Sequence, residues 1–185
     1  MATGLNTKEK LLEEACNQFW SKGYSNVALR DIAGAAGVDV ALVARYYGSK
    51  RGLFMATLDR VDSIDPAQFD TADALVDAIV HLFVTTPRDS GAPSALGLIL
   101  LNANDPEVGP DIRQAYQRKW QDAFDQIIGD PHRAGLFSAA LLGMSVAEKA
   151  LTLPGIAPPQ SAAFEAQLRT LLNAALTHPV DTPKA

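Results

Sequence analysis

The chain has 185 residues, 48% of them apolar and 20% charged, which excludes a disordered or fibrous protein and suffices for one domain or two small ones. A formal net charge of −5 excludes a strongly basic, non-specific nucleic-acid binder, and the one cysteine, Cys16, excludes an internal disulfide. The most apolar runs, residues 95–101 and 139–144, fall far short of the ~20 residues of a membrane span, and Lys8, Glu9 and Lys10 interrupt any secretory leader, so a soluble, cytoplasmic protein is expected.

Proline punctuation parses the chain. None of the eleven prolines falls in residues 1–65; they then appear from Pro66 to Pro183 at helix-length intervals, and no run alternates in the manner of a strand. The pattern predicts an all-α protein of about nine helices. The first spans residues 7–22, capped by Thr7, with Leu11, Leu12, Ala15, Phe19 and Trp20 as its apolar stripe and Gly23 as its stop. Cys16 shares that stripe and reads as a small buried hydrophobe. Short helices follow at 28–35 and 40–47, then one at 50–61 capped by Ser49. Later helices are expected at 66–85, 92–102, 105–128, 131–153 and 161–177, before a frayed tail at 178–185. Charge divides along the same line. Residues 1–60 hold eight Lys/Arg against six Asp/Glu, whereas the remainder holds eight against fifteen, which permits a local anionic partner in the first part only.

The corner at Gly37 joins the second and third helices. Glycine suits a left-handed residue after a helix, Val38 tucks beneath the turn, and Asp39 can cap the next helix. Ala33, four residues before Gly37, allows close approach, and Val43, six residues after it, plugs the gap. This is the spacing of a helix-turn-helix, although a plain corner between core helices shares it.

The surroundings separate the two readings. Phe19, Gly23-Tyr24, Arg30-Asp31-Ile32-Ala33, Ala36-Gly37-Val38, Tyr46-Tyr47 and Gly48-Ser49-Lys50 with Leu53-Phe54 closely resemble the DNA-binding region of TetR-family transcriptional regulators over residues 7–60. The resemblance implies an N-terminal helix-turn-helix three-helix domain, residues 1–48, and a C-terminal helical ligand-binding and dimerisation domain, residues 49–185. There are departures. Val27 and Ala28 stand where the family often has a Thr or Ser pair, leaving Asn26 to cap the second helix. Ala44 replaces a frequent Tyr, and Tyr46 a frequent His.

By that resemblance the DNA contacts fall to Arg30, Val40, Ala41, Leu42, Ala44, Arg45, Tyr46 and Lys50. Arg45 is the residue of the third helix able to grip guanine O6 and N7 in two-pronged fashion, worth ~1–3 kcal/mol of discrimination. Val40, Ala41, Leu42 and Ala44 cannot hydrogen-bond a base edge, but they can pack on thymine methyls and let the backbone sit deep in the groove. Lys50 can hold a phosphate with the free N–H groups of its helix, and Tyr46 can donate one hydrogen bond or lie in the core. Arg30 can take a base or a phosphate, or pair with Asp31 or Asp39.

For the second domain the resemblance implies a homodimer built on the last two helices, with Leu141, Met144, Glu148, Phe164, Leu168 and Leu171 at its interface. Two reading helices would then engage a near-palindromic operator in double-stranded DNA. It also implies a small-molecule effector, of unknown identity, in a pocket whose candidate lining is Phe83, Leu98, Asn102, Tyr116, Trp120, Phe124, Phe137 and Met144. Each of these also suits a core position. No nucleophile elbow, phosphate loop or paired metal-ligand spacing occurs, so no catalysis, metal or cofactor is expected. The reading is a repressor relieved by its effector; the alternative is a helical protein-interaction module that has lost specific DNA binding.

Overall fold

The computed structural model describes residues 6–86 and 94–179. All regular structure among them is helical, and none of these helices is long and apolar enough to cross a membrane. The ten α-helices are α1 Thr7–Lys22, α2 Leu29–Ala35, α3 Ala41–Tyr47, α4 Lys50–Leu58, α5 Ala72–Thr85, α6 Ala95–Asn102, α7 Gly109–Tyr116, α8 Asp122–Ile128, α9 Pro131–Lys149 and α10 Ala162–Thr177. A π-helical turn, Gln117–Gln121, precedes α8.

Helix starts follow side-chain caps. Ser49, Thr71, Ser94, Asp130 and Ser161 each accept hydrogen bonds from the N–H groups of the helices they open. At α1 the cap is Asn6, whose Oδ1 accepts from Glu9 N at 2.9 Å, and Thr7 is the first helical residue instead of the cap. Asn26 does not cap α2. Its amide donates to Lys22 O at 2.9 Å and closes the end of α1, so α2 begins at Ala28 without a side-chain cap. The rod expected over 66–85 is broken: Asp65 caps a short 3₁₀ turn at Pro66–Gln68, Phe69 is extended, and Thr71 starts α5 afresh. Helix α9 stops at Lys149, short of 153, as the chain turns toward Thr152 with its positive φ of 45°. Residues 92 and 93 and the tail residues 180–185 lie outside the described residues.

The chain divides into two compact units. The first comprises the described parts of Met1–Asp62 and Gly91–Tyr116, the second those of Ser63–Ser90 and Gln117–Ala185. The boundary expected at residue 48 therefore falls inside the first unit, which also takes α6 and α7 from later in the chain. Its core gathers Leu11, Ala15 and Phe19 of α1, Ile32 and Ala33 of α2, Val43 of α3, and Leu53, Phe54 and Leu58 of α4, with Leu98, Val108 and Ile112. Phe19, Tyr24 and Phe54 form an aromatic triangle with centroids 5.1–5.7 Å apart. Asn102, fully buried, ties α6 to this core: Oδ1 accepts from Tyr24 N at 2.6 Å, and Nδ2 donates to Leu98 O at 2.8 Å and Phe19 O at 3.4 Å. Burial pushes the Cys16 thiol up to about 11, as befits the small apolar residue expected there.

In the second unit α10 packs against α9 and α5. Phe164, Leu168, Leu172, Phe124, Phe137, Leu141, Met144, Leu75 and Val76 fill one apolar cluster, with Phe124 and Phe137 edge to face at 5.2 Å. Arg169 of α10 bridges to Asp77 of α5 and to Glu165 on its own helix.

Candidate nucleic-acid interface

The corner is built as its residues require. Gly37 has φ +68°, its N–H donates to Gly34 O at 3.1 Å, and Val38 N donates to Ala33 O at 2.9 Å, which finishes α2. Asp39 Oδ1 then accepts from Ala41 N at 2.7 Å and opens α3. Val43 is fully buried, the plug that the spacing predicts. Tyr47 is half-buried and its hydroxyl donates to Lys8 O at 2.7 Å, locking the end of α3 onto α1.

With Val43 turned inward, the opposite face of α3 is open. Val40, Ala41, Ala44 and Arg45 are exposed, and Leu42 and Tyr46 are half-buried at its margins. The Arg45 guanidinium lies 5.8 Å over the Tyr46 ring. Arg30 is exposed on α2, and among the described residues neither Arg30 nor Arg45 has a carboxylate partner, so the alternative pairing of Arg30 with Asp31 or Asp39 is not formed.

Lys50 opens α4, its ammonium 4.2 Å over the Tyr24 ring. Ser49 takes the Gly52 N–H through its hydroxyl and the Leu53 N–H through its carbonyl, which leaves the N–H groups of Lys50 and Arg51 without a helical acceptor. Behind Lys50 stands a polar network that the sequence alone did not reveal. The Tyr24 hydroxyl donates to Glu107 at 2.6 Å, Ser25 to Asp105 at 2.5 Å, and Arg51 forms a two-pronged pair with Asp111 at 2.8–3.1 Å. Burial, then the hydrogen bond and charge of Glu107, push the Tyr24 phenol above its ordinary range. Partial burial lifts the Asp105 carboxyl, but the Ser25 hydroxyl, the Glu107 and Val108 N–H groups and the Lys50 charge outweigh it and hold it below. These carboxylates lie 60 to 83 residues from their partners, where no local periodicity signals them.

An exposed apolar helix, set on a glycine corner and bordered by three cations, matches a known family. Residues 11–57 fit the family described as "Bacterial regulatory proteins, tetR family". The chain carries the tetR-family N-terminal domain.

That tetR-family segment is also 41% identical over 49 residues to the "Probable HTH-type transcriptional regulator YttP" of Bacillus subtilis (strain 168). The match spans 26% of this chain and 24% of that protein. Over the longer range, the fold is that of NalD, the secondary repressor of the MexAB-OprM multidrug efflux pump in Pseudomonas aeruginosa, with 20% identity, TM-score 0.67, and coverage of 91% of this chain and 95% of NalD. A HlyIIR mutant carrying a linker with two thrombin sites shares it as well, at 16% identity, TM-score 0.62, and 89% and 96% coverage. The all-helical architecture of those structures, a helix-turn-helix followed by a helical domain, is thus the fold of this chain.

Of the residues expected at a pocket and a dimer face, several lie in the core of a single protomer, the core position that the pocket candidates also suited. Leu98, Asn102 and Tyr116 belong to the first unit, where Asn102 uses its polar atoms on backbone groups. In the second unit Phe124, Phe137 and Met144 are buried, and Phe83 and Trp120 pack against the same cluster half-exposed. Of the interface residues, Leu141, Met144, Phe164 and Leu168 are 0–9% exposed within a single protomer and offer a partner almost no surface. Glu148 is half-buried, and Leu171 alone is exposed. The expected stripe is the inward one. The exposed residues of α9 and α10 include Gly135, Leu136, Ala139 and Gly143 on one helix and Ala163, Ala166, Thr170, Leu171 and Ala174 on the other.

Proposed function

We propose that this chain is a homodimeric repressor that reads a near-palindromic operator in double-stranded DNA and is released by a small-molecule effector. The observation that carries the reading is the open face of α3, where Val40, Ala41, Ala44 and Arg45 are exposed between Arg30 and Lys50 while Val43 fixes the helix to the core. Arg45 grips guanine, the apolar residues meet thymine methyls, and Lys50 with the first N–H groups of α4 takes a phosphate. Tyr46 supports Arg45 from below, and Arg30 reaches the flanking backbone.

Two protomers join through the outward rows of α9 and α10, whose small residues permit close helix approach. The effector enters beside Phe83 and Trp120, two aromatic residues of the second unit that stay half-exposed. A ligand that weakens operator binding ~100-fold must favour the released state by about 2.7 kcal/mol. The protein acts in the cytoplasm, where its DNA lies.

Selection of bound sequences from a random duplex pool, at one salt concentration near ~0.15 M, tests the reading. A two-fold-symmetric site is expected, and Arg45→Ala loses its guanine preference with a penalty of ~1–3 kcal/mol per half-site. Recovery of no enriched site, or an unchanged preference in the variant, would refute it.

A further inference from the structure

Arg51 is not among the residues expected to meet DNA, yet it stands beside Lys50 in the first turn of α4 and shares the free N–H end of that helix. Its guanidinium is engaged. Nη2 lies 2.8 Å from Oδ2 and 3.0 Å from Oδ1 of Asp111, and Nε lies 3.1 Å from Oδ2. The pair is lopsided: the Arg51 side chain is 52% exposed, the Asp111 side chain 15%. The acid is fixed on the first turn of α7, whose positive end favours it, while the base reaches outward.

A guanidinium fork fits a phosphate by the same geometry that it fits a carboxylate, so the two anions compete for one donor pair. While Asp111 holds Arg51, that charge is neutralised and releases no counterion when DNA arrives. Lys50 next door differs, because its ammonium rests on an uncharged ring.

We infer that Arg51 is a further phosphate contact of this surface, held in reserve by Asp111, which acts as a built-in stand-in for phosphate. This rests on the DNA-binding reading above. Asp111 thereby sets how tightly the head grips DNA without touching it.

The test uses the full chain and a fluorescein-labelled, mixed-sequence duplex of about three helical turns, titrated by anisotropy at several salt concentrations. Asp111→Asn keeps a hydrogen-bond acceptor but frees the Arg51 charge. Binding should tighten about threefold to tenfold near ~0.1 M salt, and the slope of log affinity against log salt should steepen by about 0.9. Arg51→Ala alone should change affinity less than about twofold, because the residue is masked, and in the Asp111→Asn background it should abolish the gain. Arg51→Lys, which breaks the fork with Asp111 in place, should tighten binding in the same direction and guards against a folding defect in the first variant.

Unchanged or weaker binding in both Asp111→Asn and Arg51→Lys overturns the inference. So does a gain that survives in the double variant, since it would come from removing a negative charge in general. A wild-type protein that binds no duplex at any salt sinks the DNA-binding reading and this inference with it, whereas binding without the gain sinks the inference alone.

Discussion

Asn102 illustrates how much one side chain can organise. It has no exposed surface, and its amide joins Tyr24 N, Leu98 O and Phe19 O, three backbone groups that the fold takes away from water. Removing the amide strands Tyr24 N, while Phe19 O keeps the Gly23 N–H at 3.1 Å, and a buried backbone group without a partner costs ~1–3 kcal/mol. Asn102→Ala is therefore expected to lower stability by about 2–3 kcal/mol in a urea titration. Asn104→Ala, two residues on and exposed, should change it by less than about 0.5 kcal/mol. Equal midpoints for the two variants would mean that the Asn102 amide does not hold α6 onto the first unit. The same residue marks a limit of sequence reading. A polar residue in an apolar run suggests a ligand contact, and only the fold brings Tyr24, 78 positions away, to its oxygen.

At the scale of elements, the reading head depends on a close approach that glycine alone permits. A Cβ at Gly52 would run into the Tyr47 carbonyl at the end of α3 and lie 3.2 Å from its carbon. Neither backbone can yield, so Gly52→Ala should cost about 1–3 kcal/mol and weaken DNA binding by displacing α3, although alanine ordinarily favours a helix by up to ~1 kcal/mol. Gly34, in α2, has nothing within 4 Å of its would-be Cβ, and Gly34→Ala should stabilise by about 0.5–1 kcal/mol. Thermal melts that move the two variants the same way would argue against the contact at Gly52. The sequence reveals such elements unevenly, for physical reasons. The cap at Ser49 is a local hydrogen bond and is legible, as are the Gly37 corner and the Val43 plug, whereas the choice of Asn6 over Thr7 at the start of α1 is not. The membership of α6 and α7 in the first unit is not, since it rests on contacts 60 to 80 residues apart. An apolar stripe likewise reports burial without saying by what. Phe164 and Leu168 therefore read as an interface, while within one protomer they face Leu75, Val76 and Phe137.

For the whole molecule, the burial of those residues within one protomer moves the proposed dimer contact to other faces of α9 and α10. Once the large apolar residues of α9 and α10 are used inside the protomer, the outward rows retain mostly Gly, Ala and Thr, with Leu136 and Leu171 as the larger apolar side chains. Such rows add little by apolar area per residue, but they let two backbones come close, and they tolerate nothing bulky between them. Gly143 is the last residue of the α9 row, exposed, and a Cβ added there would meet nothing within 4 Å. Gly143→Arg should therefore fit the isolated protomer and even favour its helix by about 0.8–1 kcal/mol. Across a two-fold axis, however, it sets two cations against each other where water is excluded. Sedimentation velocity should show the wild type as a dimer and the variant as a monomer of undiminished helicity. Operator affinity should fall steeply in parallel, because a lone protomer loses the second reading helix one turn, about 34–36 Å, along the duplex. A variant that remains dimeric with unchanged operator affinity would show that the protomers meet elsewhere, and the outward rows of α9 and α10 would then need another occupant.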